Sequence, residues 1–409
     1  MPFNVLMVAP TSFFADYGCH VRILAEVTSL QHLGHRVVVC TYHNGDDVQG
    51  LDIRRGWGPP WIRRPVVGSS RHKLYLDIML LWRTLLVALA ERPDVIHAHL
   101  HEGALIGTIV GRLLGVPVLF DFQGSLTAEM VDHRFLQRDS FWYRVLRQLE
   151  EWIIRWPQAV ATSSYNAARV LKEEFGFPPE RLFTVPDGVN TANFQPLDDI
   201  SGWPERRARL RAELGIPADA RVVVYLGLLA PYQGTDILLQ AAKQVLQELP
   251  DAYFLIMGFP GVESYAQMAR SLGVLEHTLF PGRISYFEAP RGLALGDVAV
   301  APKMSATEGS GKICDYMAMA LPVVAFDTAV SREILADLGL YADYGDANSL
   351  ARCLIQALRD VEGGRTLGRR LRERAEAMFS WASGVQRIVE LYEYIGAQES
   401  LPGVKDCGG

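Results

Sequence analysis

The chain sets short, β-branched apolar runs between longer stretches of helical period, and it does so twice in succession. Runs of this kind, bounded by turn residues, suit strands buried on both faces, as a parallel sheet covered by helices requires. In the first half they are Val5–Val8, Val37–Cys40, Val95–Ala98, Val118–Phe122, Ala159–Thr162 and Leu182–Val185. In the second they are Val222–Leu226, Tyr253–Met257, Thr278–Phe280, Val298–Ala301 and Val323–Phe326. Between the two sets, Val185–Pro196 (VPDGVNTANFQP) is rich in turn residues and reads as a linker. A chain of 409 residues also exceeds what one core usually serves. The expectation is two α/β lobes, with ligands beyond the carboxyl ends of the strands.

Composition narrows the class. An apolar fraction of 49% with 21% charged residues describes an ordinary globular protein. Residues 1–190 hold 19 basic and 19 acidic side chains, so the remainder carries the whole net charge of −6 and nucleic acid is not an expected partner. Five cysteines without CxxC spacing point to a reduced, cytoplasmic setting. Met1–Ala9 lacks the basic start and long apolar core of a signal peptide, and Asn4–Val8 reads as a first buried strand; Asp77 and Arg83 interrupt Leu74–Ala90, so a membrane span is not expected there.

The densest chemistry lies in Ala301–Ala325, APKMSATEGSGKICDYMAMALPVVA, between two strand-like runs. Gly309, Ser310 and Gly311 permit close backbone approach, and a helix starting near Lys312 would offer N–H groups and a positive dipole end to a diphosphate. Glu308 lies in the loop where a sugar would sit, and Asp315 stands one turn into the helix, where ribose hydroxyls could be met. By local chemistry alone, a solvated loop and helix start explain the segment as well. A second loop, Tyr225–Gly234, again joins a strand to a helix through glycines. Gly282–Arg283 follows the Thr278–Phe280 run.

The Glu308–Ala325 segment resembles the signature of the family 4 retaining glycosyltransferases: an acidic residue before a Gly-rich loop, a second on the next helix, an Ala-Met-Ala run and a Pro-Val-Val strand. Two departures stand out: the second acid is Asp315 in place of Glu, and it is one residue closer to Glu308 than usual. VPDGVNTANFQP resembles the same family's interdomain motif, with Asp187 and Asn190 exchanged. The resemblance implies a GT-B architecture, α/β with two Rossmann-like domains facing each other across a cleft. Residues 1–190 would bind the acceptor, 191–382 would bind the nucleotide sugar, and a C-terminal helix over 383–400 would pack back on the first domain.

The same resemblance implies site residues. Glu308 would be catalytic. Gly227, Gln233, Gly282, Arg283, Gly309, Ser310, Gly311, Lys312 and Asp315 would hold the donor. The family's cations in the glycine loop are replaced here by Leu228 and Gln233; Lys312, Lys303 or Arg283 could supply the charge for the diphosphate instead, with Lys312 preferred because it stands at the helix start beside Glu308. In the first lobe Gly18, His20, His99 and Gln123 are the acceptor or cleft candidates, Gln123 replacing a family histidine; His20 is equally well explained as a helix-start cap. His97 and His99 are read as facing opposite sides of one strand, with His101 in the loop beyond. With no Cys or carboxylate at ligand spacing, no metal site is expected.

Arg54–Lys73 carries Arg54, Arg55, Arg63, Arg64, Arg71 and Lys73 with Trp57 and Trp61, and Arg134–Trp156 adds three further tryptophans. Such stretches suit an anionic membrane surface or a lipid-linked acceptor, or else a loop-lined cleft and buried tryptophans. The expected function is transfer of a hexose from a nucleoside diphosphate sugar to a hydroxyl acceptor, with retention, in cell-surface polysaccharide or glycolipid synthesis. The nucleotide sugar would be a co-substrate, with no tightly bound cofactor, and the enzyme would work in the cytoplasm or at the inner membrane face. The alternative is a catalytically weak sugar-nucleotide-binding subunit of the same fold. A dehydrogenase is disfavoured because neither first βα turn carries GxGxxG.

Overall fold

The computed structural model describes residues 2–16, 18–58, 73–132, 135–198, 200–305 and 308–399. They divide into two compact units: the described residues within 2–15, 23–186 and 382–399 form the first, those within 16–22 and 187–381 the second. The division falls at Pro186/Asp187, four residues before the boundary read from the linker, and Ala382 returns the chain to the first unit.

The first unit is built on a seven-stranded parallel sheet in the order β3-β2-β1-β4-β5-β6-β7. Its strands are β1 (Asn4–Ala9), β2 (Arg36–Thr41), β3 (Asp52–Arg55), β4 (Val95–His99), β5 (Val118–Phe122), β6 (Ala159–Thr162) and β7 (Leu182–Thr184). Leu6, Val8, Val38, Ile96 and Ala98 pack with Leu76, Leu80 and Val87 of the helix Lys73–Glu91. Phe120, Phe122 and Val160 pack with Ile153, Ile154 and Leu171 from two further helices. Ser164 starts one of these by accepting from Ala167 N at 3.0 Å, and Gly176 ends it in the left-handed conformation. The last helix, Trp381–Glu399, buries Ile388, Leu391, Tyr392 and Ile395, and its Tyr394 hydroxyl donates to Glu180 O at 3.0 Å.

The second unit has a six-stranded parallel sheet in the order β10-β9-β8-β11-β12-β13. Its strands are β8 (Arg221–Leu226), β9 (Ala252–Met257), β10 (Thr278–Gly282), β11 (Val298–Ala301), β12 (Val323–Phe326) and β13 (Leu340–Ala342). Alternate residues serve opposite layers, with Val222 and Val224 in one cluster and Val223 and Tyr225 in the other. Each sheet reverses its strand order once, between β1 and β4 and between β8 and β11. These switch points are where the loops at the carboxyl ends part and leave a crevice.

Candidate active site

At the β8/β11 switch point the loop after β8 meets the helix after β11. That helix is Gly311–Ala318, with Ser310 at its N-cap. The Lys312 ammonium lies over the Tyr225 ring at 4.3 Å, donates to Gln233 Oε1 at 2.9 Å and stands 3.2 Å from the Tyr225 hydroxyl. Two glycines make this approach feasible. A Cβ on Gly227 (φ +149°) would sit 2.6 Å from Lys312 Nζ, and one on Gly234 (φ +73°) would overlap Pro302 O at 1.9 Å. The position where the resemblance expects a cation thus holds Gln233, which accepts from the lysine supplied by the facing helix.

Glu308 enters from the same loop. Its Oε2 is 2.7 Å from Lys303 Nζ, and Lys303 also donates to Gly309 O at 2.5 Å. Burial and the neighbouring Lys303 push the Lys312 ammonium down to about 7, while Glu308 acts in the opposite direction. A half-buried amine with a lowered pKa beside a helix start is ready to be recharged by an anion. Among the described residues, Ser310 Oγ, buried at that start, has no hydrogen-bond partner.

The other donor candidates are more dispersed. Asp315 is buried on the side of the helix that meets Asp187 and Tyr286, and burial followed by Asp187 holds its carboxyl well above the usual range. Gly282 has φ +83° and its carbonyl accepts from Gly258 N at 2.9 Å, tying the ends of β9 and β10 together. Arg283 is paired with Asp16 at 2.6 Å within the second unit. His20, in the same segment as Asp16, is fully buried, and burial reinforced by Arg283 lowers it to about 3. It is neutral at physiological pH. Gly18 is exposed, and a Cβ added there would have nothing within 4 Å.

In the first unit the reading of His97 and His99 is corrected. Residues two apart on a strand point to the same face, and the two rings stack at 4.6 Å, both within 4 Å of Glu26. His99 is fully buried and joined to Asp121 at 3.1 Å, and Gln123 Nε2 donates to the same Asp121 oxygen at 2.7 Å. His101 is buried beside Glu150 at the start of the helix Leu100–Leu114. Sequence reasoning missed Tyr225, Glu26 and Asp121 as site residues; the signal for Tyr225 was an aromatic hydroxyl near the end of a buried strand, two residues before a glycine. Of the basic stretches, residues 59–72 and Arg134 lie outside the described residues.

Residues 17–188 match the family described as Glycosyl transferase 4-like domain, and residues 206–378 match Glycosyl transferases group 1. A D-inositol 3-phosphate glycosyltransferase of Thermobispora bispora is 26% identical over 315 residues, 74% of this chain and 70% of that protein. The GDP-mannose-dependent alpha-(1-6)-phosphatidylinositol monomannoside mannosyltransferase of Mycolicibacterium smegmatis is 31% identical over 238 residues, 56% of this chain and 60% of that one. Among solved structures, sucrose-phosphate synthase from Thermosynechococcus elongatus has a TM-score of 0.80 at 18% identity, covering 97% of this chain and all of the other. Anabaena HepE in complex with UDP-glucose has a TM-score of 0.76 at 17% identity, over 96% of this chain and all of that one.

Proposed function

This chain belongs to the family 4, group 1 glycosyltransferases of GT-B fold, and on that premise we propose that it moves a hexose from a nucleoside diphosphate sugar to a hydroxyl, with retention at the anomeric carbon. The observation that carries the proposal is the convergence of Lys312, Ser310 and the Gly227 loop at the β8/β11 switch point. Departure of a diphosphate from an oxocarbenium-like sugar needs positive potential at the leaving group and negative charge near the ring. Lys312 and the helix start supply the first and Glu308 the second. The nucleotide sugar is a co-substrate in this scheme.

Calorimetry with UDP-glucose, GDP-mannose and related donors, followed by NMR of the product, tests it. At least one donor binds and gives a product of retained anomeric configuration. Inversion, or no binding by any nucleoside diphosphate sugar, overturns the proposal. Binding without transfer or hydrolysis selects the alternative, a sugar-nucleotide-binding subunit.

The acceptor side of the proposal is a lipid-linked hydroxyl at an anionic membrane surface, in keeping with the phosphatidylinositol mannoside named for one relative. Among the described residues no helix is long and apolar enough to cross a membrane. The helix Lys73–Glu91 does expose Leu74, Ile78, Trp82, Leu86 and Leu89, a stripe at helical spacing. The helix Phe141–Arg155 exposes Phe141, Trp142 and Trp152, and its Arg144, Val145, Leu149 and Trp152 line a shallow apolar depression. Such faces suit shallow burial among headgroups. Trp82→Ser with Trp142→Ser is expected to weaken sedimentation with phosphatidylglycerol vesicles about tenfold at low salt, without lowering Tm, since both side chains are more than half exposed. Failure of the unaltered chain to bind such vesicles removes the membrane contact.

A further inference from the structure

The first unit buries a second polar constellation at its own switch point, built from none of the donor residues. Glu26 comes from the helix Gly18–His32, His97 and His99 from β4, and Asp121 from β5; all four are at most 1% exposed. One ligand atom from each lies within 4.8 Å of the others. Carboxylates removed from water are costly unless their charge is compensated, and a cation at the centre of this cluster would lie within reach of both.

The hydrogen-bond pattern says which nitrogens face that cation. Asp121 Oδ2 lies 3.1 Å from His99 Nδ1, and an ionised carboxylate can only accept, so the ring proton sits on Nδ1. The lone pair of His99 Nε2 then points into the cluster, where this atom has no hydrogen-bond partner among the described residues. Tyr392 stands beside the other ring, its hydroxyl 2.8 Å from His97 Nδ1, where a phenol oxygen can accept a hydrogen bond from the ring N–H and leave Nε2 as the ligand atom. His97 Nε2 is 3.7 Å and His99 Nε2 3.8 Å from the same oxygen, Glu26 Oε2. Those separations are too long for hydrogen bonds. A protonated imidazole would draw the carboxylate in to about 2.8 Å. They are close instead to the spacing of about 3.3 Å between ligand atoms that surround one tetrahedral ion at 2.0–2.1 Å.

We infer that Glu26, His97 and His99 bind one divalent first-row transition-metal ion, with zinc the best chemical match, and that Asp121 and Tyr392 position the imidazoles. A carboxylate or hydroxyl on the distal ring nitrogen is the usual second layer of such sites. The two positive charges of a divalent ion match the formal charges of Glu26 and Asp121. Two imidazoles and a carboxylate favour zinc over magnesium or calcium, which prefer all-oxygen shells. Because Tyr392 belongs to the last helix and Glu26 to the first, the ion fastens both to β4.

The test uses the full chain without an affinity tag, stripped with EDTA and dialysed. Titration with zinc chloride, read by calorimetry and by elemental analysis after gel filtration, gives about one ion per chain, and saturating zinc raises Tm by about 5 °C. Glu26→Gln keeps the side-chain shape and removes the anionic ligand; with His99→Ala it is expected to lose this ion and the zinc-dependent part of Tm. Absence of bound zinc together with an unmoved Tm overturns the inference. Retention of the full stoichiometry by both folded variants overturns it too, since the metal would then lie elsewhere. Neither readout depends on sugar transfer, so the result stands apart from the proposed activity.

Discussion

Glu308→Gln is expected to lower kcat for sugar transfer about 10²- to 10³-fold, the usual loss when one preorganised charge is removed from a transition state. Nucleotide affinity should stay near that of the unaltered chain, because the diphosphate is assigned to Lys312 and the helix start. The substitution is nearly isosteric: the amide oxygen can still accept from Lys303, whose ammonium stands 2.7 Å from Glu308 Oε2. What disappears is the negative charge facing the sugar. The competing account makes Glu308 a structural partner of Lys303. Under that account Glu308→Gln and Lys303→Met would lower Tm to a similar small extent and leave kcat alone. Single-turnover rates with the two folded variants decide between them; an unchanged rate in Glu308→Gln removes the catalytic assignment.

The strands were legible wherever burial on both faces imposed a continuous apolar run. Two edge strands escaped for a physical reason. Asp52–Arg55 is half-buried and polar because one side has no neighbour, and Leu340–Ala342 is three residues long. Neither has enough apolar surface to stand out from a loop. Domain organisation was legible through the turn-rich linker, although the structure groups Asp16–Arg22 with the second unit, a long-range association that no local pattern reveals.

The site was legible in part. Glu308, Ser310, Gly311 and Lys312 are contiguous or nearly so, and glycines around a helix start announce themselves. Gln233 and Lys312 are 79 residues apart, and their hydrogen bond depends on two loops leaving adjacent strands. The expectation that His97 and His99 face opposite sides fails because residues two apart on a strand share a face, and that hid the cluster they form with Glu26 and Asp121. Its carboxylates also come from elements 22 or more residues away from the nearer histidine or on another helix, so ligand spacing in sequence carried no signal for them.

Lys312→Met is the sharpest test of the donor side, because it predicts opposite movements of binding and stability. In the proposed scheme the ammonium stands in for the cations missing from the Gly227 loop, so its loss should weaken nucleoside diphosphate binding about 10- to 100-fold, the range of a charge-assisted hydrogen bond. In the free protein its pKa is lowered from 10.5 to about 7. A bound diphosphate raises it again, so binding takes up a proton above pH 7, and donor affinity falls as pH rises through that range. Calorimetry at pH 6.5 and 8.5 should show this fall in the unaltered chain and a flat, weak profile in Lys312→Met. Stability moves the other way. Between about pH 7 and 10.5 the unfolded chain binds the proton that the folded chain has released, so the contribution of Lys312 to stability rises with pH across that window and is at its least favourable below it. Lys312→Met therefore gains Tm relative to the unaltered chain at pH 6.5, and that gain shrinks as pH rises toward 10. A variant that binds nucleotide normally, or whose stability difference does not depend on pH, shows that the ammonium is not the half-buried, anion-seeking group proposed between the loop after β8 and the helix Gly311–Ala318.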